Sequence, residues 1–503
     1  MRRFVLTAAL SITASSSACE DSSSTPKNPE ANFPKSFLWG SAVAGFQSDP
    51  GCPTLSPEQC EDRASDWYQW VSDPEIIARK DVTYVTGEPL AHGPGMRELY
   101  KEDLARAKDE LNQNAIRLSI EWSRLFPNES AASANTVDEL ATHVDPDGLA
   151  YYQALFDEIK RLGLTPLVTL NHYTLPLWIH DGKACHLDLV GCERRGWLDR
   201  ERITKHIALY AGYCGRVFGD RIDLWATLNE PFATVLAGYV LPSAERSHPP
   251  GVQFQIEAAL DVLFNQVEGH ARMVDALRVE DTKDADGDGK AVRAGTVVNI
   301  ASFVPADSND PNGEAAALHG SWVHNELFLE GVATGRLDRN IDGVLEAPRE
   351  DLVGRLDWIG VNYYTKIAVT SLPGPLLEGS PWLDFLPSLD GGFFQNYPEG
   401  LYEALKLASR FDLPMIVTEN GTPNLTDDSG ETFLKPHLRS VWKAMEEGLP
   451  VEGYFFWTLV DNYEWNHGMS LKLGLYGLDL ETKARTIRKV AETYADIAKK
   501  RGF

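Results

Sequence analysis

Eight short runs of β-branched and aromatic residues recur along the chain, each closing on a polar residue and leading into a helical or loop segment. They are Phe37–Phe46, Ala115–Trp122, Thr165–His172, Asp223–Glu230, Gly295–Phe303, Leu356–Tyr364, Pro414–Glu419 and Val451–Val460. Amphipathic stretches such as Gly148–Leu162, Arg202–Phe218, Val252–Val279 and Leu401–Arg410 lie between them. Strand–helix alternation implies a parallel sheet, because parallel neighbours need a long crossover between them. Eight such units favour an α/β fold closed into a single (β/α)8 TIM barrel with loop insertions. No GxGxxG follows the first run, so an open dinucleotide-binding sheet has no support. A chain of 503 residues, 43% of them apolar, suffices for one such barrel. No composition break marks a second domain, and the barrel is expected over residues 33–503.

The segment before it has a different character. Arg2 and Arg3 precede a short apolar run, Phe4 to Ile12, and small residues follow up to Ala18 and Cys19. This reads as an export signal over residues 1–18, too short to span a bilayer. Ser16-Ser17-Ala18-Cys19 resembles a lipobox, which makes Cys19 the expected lipidation site. Ser16 stands where such boxes usually carry Leu, and a plain signal cut after Ala18 is the alternative. Residues 19–32, rich in Ser, Pro and Asn, form the expected disordered tether. The protein is thus expected outside the cytoplasm, periplasmic or extracellular, and in contact with a membrane only through such an anchor. There Cys52 and Cys60 bracket one loop and Cys185 and Cys192 another, which reads as two local disulfides. Cys214, inside an apparent helix, is expected as a buried free thiol. The formal net charge of −26 makes nucleic acid an unsuitable partner.

The polar ends of the runs carry the chemistry, since reactive groups of such barrels sit at the C-terminal ends of the strands. They are Gln47, Arg117, His172, Asn229-Glu230, Asn299, Tyr364, Glu419 and Trp457. Two are glutamates; the rest are mostly amide, imidazole, phenol and indole groups that suit sugar hydroxyls. There is no His, Asp or Cys cluster at the strand ends to hold a metal and no Lys to form a Schiff base, so no metal or cofactor is expected. Glycosidic cleavage needs a proton for the leaving oxygen and support for an oxocarbenium-like centre, and two carboxyl groups supply both. At roughly 5–5.5 Å apart, one attacks directly and configuration is retained. Arg117 ends a different strand, and a guanidinium beside one carboxylate would lower its pKa and suit it as nucleophile. The acid partner would keep its proton through the nearby negative charge until that nucleophile becomes an ester.

The local strings resemble glycoside hydrolase family 1 over nearly the whole chain from Phe33 onward. Phe37-Leu38-Trp39-Gly40 with Gln47 is similar to the family's opening strand, and Arg117-Leu118-Ser119-Ile120-Glu121-Trp122-Ser123-Arg124 to its second. Thr227-Leu228-Asn229-Glu230-Pro231 resembles the acid/base signature and Val417-Thr418-Glu419-Asn420-Gly421 the nucleophile signature. Asp461-Asn462-Tyr463-Glu464-Trp465 resembles a sugar-binding signature. The resemblance implies a retaining, exo-acting β-glycosidase that removes terminal non-reducing β-D-glucosyl residues, and also β-D-galactosyl or β-D-fucosyl residues, through a covalent glycosyl-enzyme. It implies Glu230 as acid/base and Glu419 as nucleophile, with Arg117 and Tyr364 holding Glu419 and Asn229 reading the 2-hydroxyl. Gln47, His172, Glu464 and Trp465 would bind the other hydroxyls, and Trp457 would form a platform under the ring.

Departures shape the expectation further. Many family members have His-Trp where this chain has His172-Tyr173, and Ser65-Asp66-Trp67-Tyr68 looks closer to the archaeal-type branch. That branch implies tolerance between glucosides and galactosides. Glu464 should repel a phosphate, so the expected sugar is unphosphorylated. The segment from Pro50 to Arg63, with its two Cys, is expected near the substrate entrance. Asp284-Ala285-Asp286-Gly287-Asp288-Gly289 opens like a calcium loop but has Gly295 at the twelfth position, so an acidic turn is the expectation. Two other functions fit part of the pattern. A sugar-binding lipoprotein would need no second carboxylate, and a transglycosidase would use the same intermediate with a sugar acceptor.

Overall fold

The computed structural model describes residues 31–374, 385–388 and 392–503. The leader, Cys19 and most of the tether lie outside the described residues. Eight parallel strands close into one barrel in which every strand pairs with its sequence neighbours and the last returns to the first. They are β1 (Leu38–Ala42), β2 (Ala115–Ser119), β3 (Thr165–Asn171), β4 (Leu224–Asn229), β5 (Arg293–Asn299), β6 (Trp358–Tyr363), β7 (Met415–Asn420) and β8 (Val451–Trp457). Closure runs through the register Leu38↔Gly453 to Ala42↔Trp457. The expected runs therefore hold the right strands, with ends trimmed: β5 stops at Asn299 rather than Phe303 and β8 at Trp457 rather than Val460.

Side-chain size explains why the barrel fills. Phe455 and Trp358 are fully buried inside it. A Cβ on Gly40 would stand 2.4 Å from Phe455, and one on Gly295 2.4 Å from Trp358. These two glycines leave room for the aromatic rings, whose burial stabilises the barrel by about 2–3 kcal/mol each.

The helical layer follows the amphipathic pattern. Helix α1 (Pro146–Leu162) starts on Asp145, whose side chain accepts from the Gly148 amide, has Pro at its first position and stops at Gly163 in the left-handed region. In helix α2 (Arg200–Phe218) the buried residues Ile203, Ile207, Tyr210, Ala211, Cys214 and Phe218 recur at helical spacing. They pack in the same core as Val262, Val267 and Val274 of α3 (Ile256–Glu280). Cys214 is the buried free thiol expected from its setting.

Several features depart from expectation. Ala31 and Asn32, placed in the tether, are already ordered: Ala31 exchanges backbone hydrogen bonds with Phe503, and Asn32 bridges Gly502. The fold thus begins by Ala31, tied down by its own C-terminus. A three-stranded sheet (Ser302–Pro305, Lys366–Ser371, Phe385–Ser388) and a hairpin (Tyr476–Leu478, Arg485–Ile487) were not foreseen. Disulfides join Cys52 to Cys60 and Cys185 to Cys192. The 50–63 segment borders a cleft of its own with Arg97, Arg124 and Tyr151, and contributes none of the described residues lining the cavity between the two glutamates. The acidic turn lies at the opposite end of the barrel, between α3 and a strand rather than between two helices. There Asp223, Asp284 and Asp286 bring carboxylate oxygens within 4.8 Å of one another. Both Asp223 oxygens are taken by backbone amides, of Ala285 at 2.9 Å and Asp286 at 2.7 Å.

Candidate active site

Neighbouring residues of a regular strand point to opposite faces, so Asn229 and Glu230 can share a cavity only if the strand breaks between them. It does: Glu230 sits at φ 45° in the left-handed region, just before Pro231 opens a short helix. Glu419 is re-aimed by a different device. Val417 pairs with Val361 and Glu419 with Asn362, so Thr418 is an extra residue on β7 at a bulge. Both glutamates are buried, Glu230 at 6% and Glu419 at 4% exposure. They line one cavity at the C-terminal mouth of the barrel with His172, Tyr173, Arg246, Tyr364, Trp457, Glu464 and Trp465. Arg117, Asn229 and Gln47 stand directly behind this lining and reach it through hydrogen bonds.

The partners of the two carboxyls differ in charge. Arg117 Nη1 contacts Glu419 Oε1 in a buried ion pair, and Tyr364 Oη donates to Glu419 Oε2 at 2.5 Å. Arg117 Nη2 donates to Asn229 Oδ1 at 2.6 Å, which turns the Asn229 amide nitrogen to His172 Nε2 at 3.1 Å. Glu230 is held by neutral donors. Asn362 Nδ2 at 2.7 Å and Asn299 Nδ2 at 3.1 Å donate to Oε1, and Tyr173 Oη donates to Oε2 at 2.5 Å. Asn362 is itself oriented by Thr418, whose hydroxyl donates to its Oδ1 at 2.7 Å.

The electrostatics qualify one expectation. Arg117 was expected to lower the pKa of Glu419 and does so, but it is outweighed. Burial instead pushes Glu419 up to about 7; Arg117 pulls it down, the neighbouring Glu230 raises it further, and Tyr364 lowers it. Desolvation wins because the carboxyl is almost wholly buried, while the one guanidinium beside it is shared with Asn229. The full positive charge of Arg117 lies against Glu419, while the hydrogen-bond donors to Glu230 are neutral. His172 is held well below its ordinary pKa, by burial first and then by Arg117 and Arg246, so it is a neutral ring.

The end of the cavity around Glu464 has its own ion pair. Glu464 accepts from Gln47 Nε2 at 2.7 Å on one oxygen and from Arg246 Nη1 at 3.1 Å on the other. His172 lies stacked between two indoles, 6.1 Å from Trp457 and 5.9 Å from Trp465, which makes a flat aromatic wall.

All ten residues singled out from the sequence thus converge on one mouth. Six others share it without having been assigned a role: Asn362, Asn299, Tyr173, Arg246, Phe393 and Phe394. Asn362 has the strand parity of Tyr364 and was findable on that ground, and Asn299 was noted only as a strand end. Tyr173 follows inward-facing His172 and should face away; its φ of 72° turns it back. Arg246 comes from an irregular loop after β4, where no periodic signal exists.

Comparison with known proteins fits this geometry. The family model described as Glycosyl hydrolase family 1 matches residues 29–503. A Pyrococcus woesei protein named β-galactosidase is 33% identical over 91% of this chain and 95% of its own length. A Thermotoga maritima protein named β-glucosidase A is 29% identical over 94% of this chain and 98% of its own. The solved β-glycosidase of Thermosphaera aggregans superposes with a TM-score of 0.77 at 29% identity, covering 93% of this chain and 97% of that one.

Proposed function

The chain belongs to glycosyl hydrolase family 1 and is a β-glucosidase-type hydrolase, and on that premise we propose that it removes terminal non-reducing β-D-glucosyl residues with retention of configuration. The carrying observation is the asymmetry of the carboxyl pair: a guanidinium and a phenol on Glu419, neutral donors alone on Glu230. Glu419 attacks the anomeric carbon as Glu230 gives its proton to the leaving oxygen. Glu230, now a carboxylate, then takes a proton from water as that water attacks the anomeric carbon and displaces the Glu419 carboxylate. Asn229, fixed by Arg117, offers its amide to the 2-hydroxyl, where hydrogen bonds strengthen as charge develops. Trp457 covers the apolar face of the ring, while Gln47, His172, Glu464 and Trp465 read its hydroxyls.

Galactosides are proposed as further substrates, supported by the β-galactosidase name of the Pyrococcus woesei relative, and fucosides are proposed from the sequence resemblance alone. The leader supports an exported, Cys19-lipidated form; mass spectrometry of the mature N-terminus tests it, and an unmodified Cys19 would overturn it. For the chemistry, an aryl β-glycoside panel is run on the wild type, Glu419→Ala and Glu230→Ala. Expected are near-loss of turnover in Glu419→Ala with partial recovery in azide, and Glu230→Ala activity confined to good leaving groups. Undiminished Glu419→Ala turnover, or wild-type action on α- but not β-linked substrates, would refute the reading.

A further inference from the structure

We infer that Tyr173 is a positioning residue for the acid/base carboxyl, holding Glu230 Oε2 in place and favouring its ionised form. The inference rests on the reading of Glu230 as acid/base. Three observations carry it. The phenol oxygen is 2.5 Å from Glu230 Oε2 and, among the described residues, is the donor that holds that oxygen, the other being held by Asn362 and Asn299. The backbone is bent to put it there: Tyr173 has φ 72°, a conformation that side-chain-bearing residues seldom adopt and that clusters at functional sites.

The bend is fixed from both sides. Asn171 Nδ2 donates to the Thr174 carbonyl at 2.8 Å, and Thr174 Oγ1 donates to Glu121 Oε2 at 2.5 Å. Finally, the ring is clamped edge-on by His248 at 4.6 Å, Trp465 at 5.0 Å and His172 at 5.1 Å, so the hydroxyl has little freedom to leave. Packing alone would account for the ring but not for a hydroxyl delivered onto the carboxyl that must first donate and then accept a proton.

Burial and the carboxylates of Glu230 and Glu419, opposed by Arg246, hold the phenol well above its ordinary pKa, so it keeps its proton and acts as donor. The ionisable groups facing this pair are Glu419, Tyr364, Arg246, Glu464, His172, His248 and His324. The three histidines are held below their ordinary pKa by burial.

A donor aimed at a carboxylate favours the charged form, so its removal favours the protonated acid. In Tyr173→Phe the alkaline limb of the kcat/KM profile should move up by about 0.5–1 pH unit. The loss in kcat/KM should be larger for aryl glucosides with poor leaving groups than for those with good ones. As a second arm that keeps the ring, 3-fluorotyrosine placed at position 173 by amber suppression is a stronger donor and should move the limb down.

Glu230→Gln, which should lose the alkaline limb, separates the two failures. If Glu230→Gln keeps the wild-type limb, the acid/base reading falls. If Glu230→Gln loses it while both position-173 variants match the wild-type limb, the Tyr173 inference alone is overturned. Should Tyr173→Phe fail to fold, the fluorotyrosine arm decides by itself.

Discussion

Arg246 Nη1 lies 3.1 Å from Glu464 Oε1, and the opposite oxygen of that carboxylate accepts from Gln47, so Glu464 is engaged on both oxygens. Under the proposed function Arg246 thereby fixes a sugar-reading carboxylate that contacts no reacting atom. Removing such a group weakens substrate and transition state alike. Arg246→Ala is expected to raise KM for an aryl β-glucoside roughly tenfold, about 1.4 kcal/mol, and to change kcat much less. Steady-state kinetics check this, and an unchanged KM would remove Arg246 from the binding apparatus.

Arg117 and Tyr364 oppose the burial that pushes Glu419 up to about 7. A nucleophile must be ionised, so deleting either partner should shift the acid limb of kcat/KM toward higher pH. Arg117→Met, which removes the charge, should shift it further than Tyr364→Phe. Profiles from pH 4 to 9 on one substrate test the order; a limb unmoved by Arg117→Met would show that this guanidinium does not act on Glu419.

Glu121 gives a separate prediction about stability. It is buried behind β2, accepts from Ser119 and Thr174, and is pushed by burial, with Asp62 adding, up to about 7 from an ordinary 4.5. Its folded pKa is raised, so its contribution is fully present below about 4.5. That contribution declines as pH rises and is lost above 7, a cost on the order of 3 kcal/mol. The wild type should therefore lose a few degrees of Tm between pH 5 and 8 that Glu121→Gln does not lose. Parallel Tm–pH curves for the two proteins would contradict it.

The disulfides Cys52–Cys60 and Cys185–Cys192 close loops with sequence separations of 8 and 7. Loops this short give roughly 2–3 kcal/mol each through the unfolded chain. Cys52→Ser/Cys60→Ser and Cys185→Ser/Cys192→Ser should each lower the calorimetric Tm by a few degrees under oxidising conditions, and the wild type should match the four-site variant once reduced. Equal Tm values for oxidised wild type and four-site variant would show the crosslinks to be thermally silent.

Much of this molecule is written locally. Short β-branched and apolar runs such as Thr165–Asn171 and helical spacing such as Ile203–Ile207–Tyr210 identify their elements, because those patterns need only neighbouring residues. Alternating strands and helices then close the barrel and bring Glu230 and Glu419 to one mouth, while Arg117 on β2 reaches Glu419 on β7 from across it. The short spacing of each Cys pair likewise made local crosslinks legible. Three things waited for the tertiary structure, each for a nonlocal reason. Tyr173 faces Glu230 through a left-handed turn that strand parity excludes, held by Asn171 and by Glu121 through Thr174. Arg246 reaches Glu464 from an aperiodic loop, 218 residues away in sequence. The carboxyl of Glu419 is raised rather than lowered, because desolvation sums over everything packed around it while the sequence displayed only the arginine.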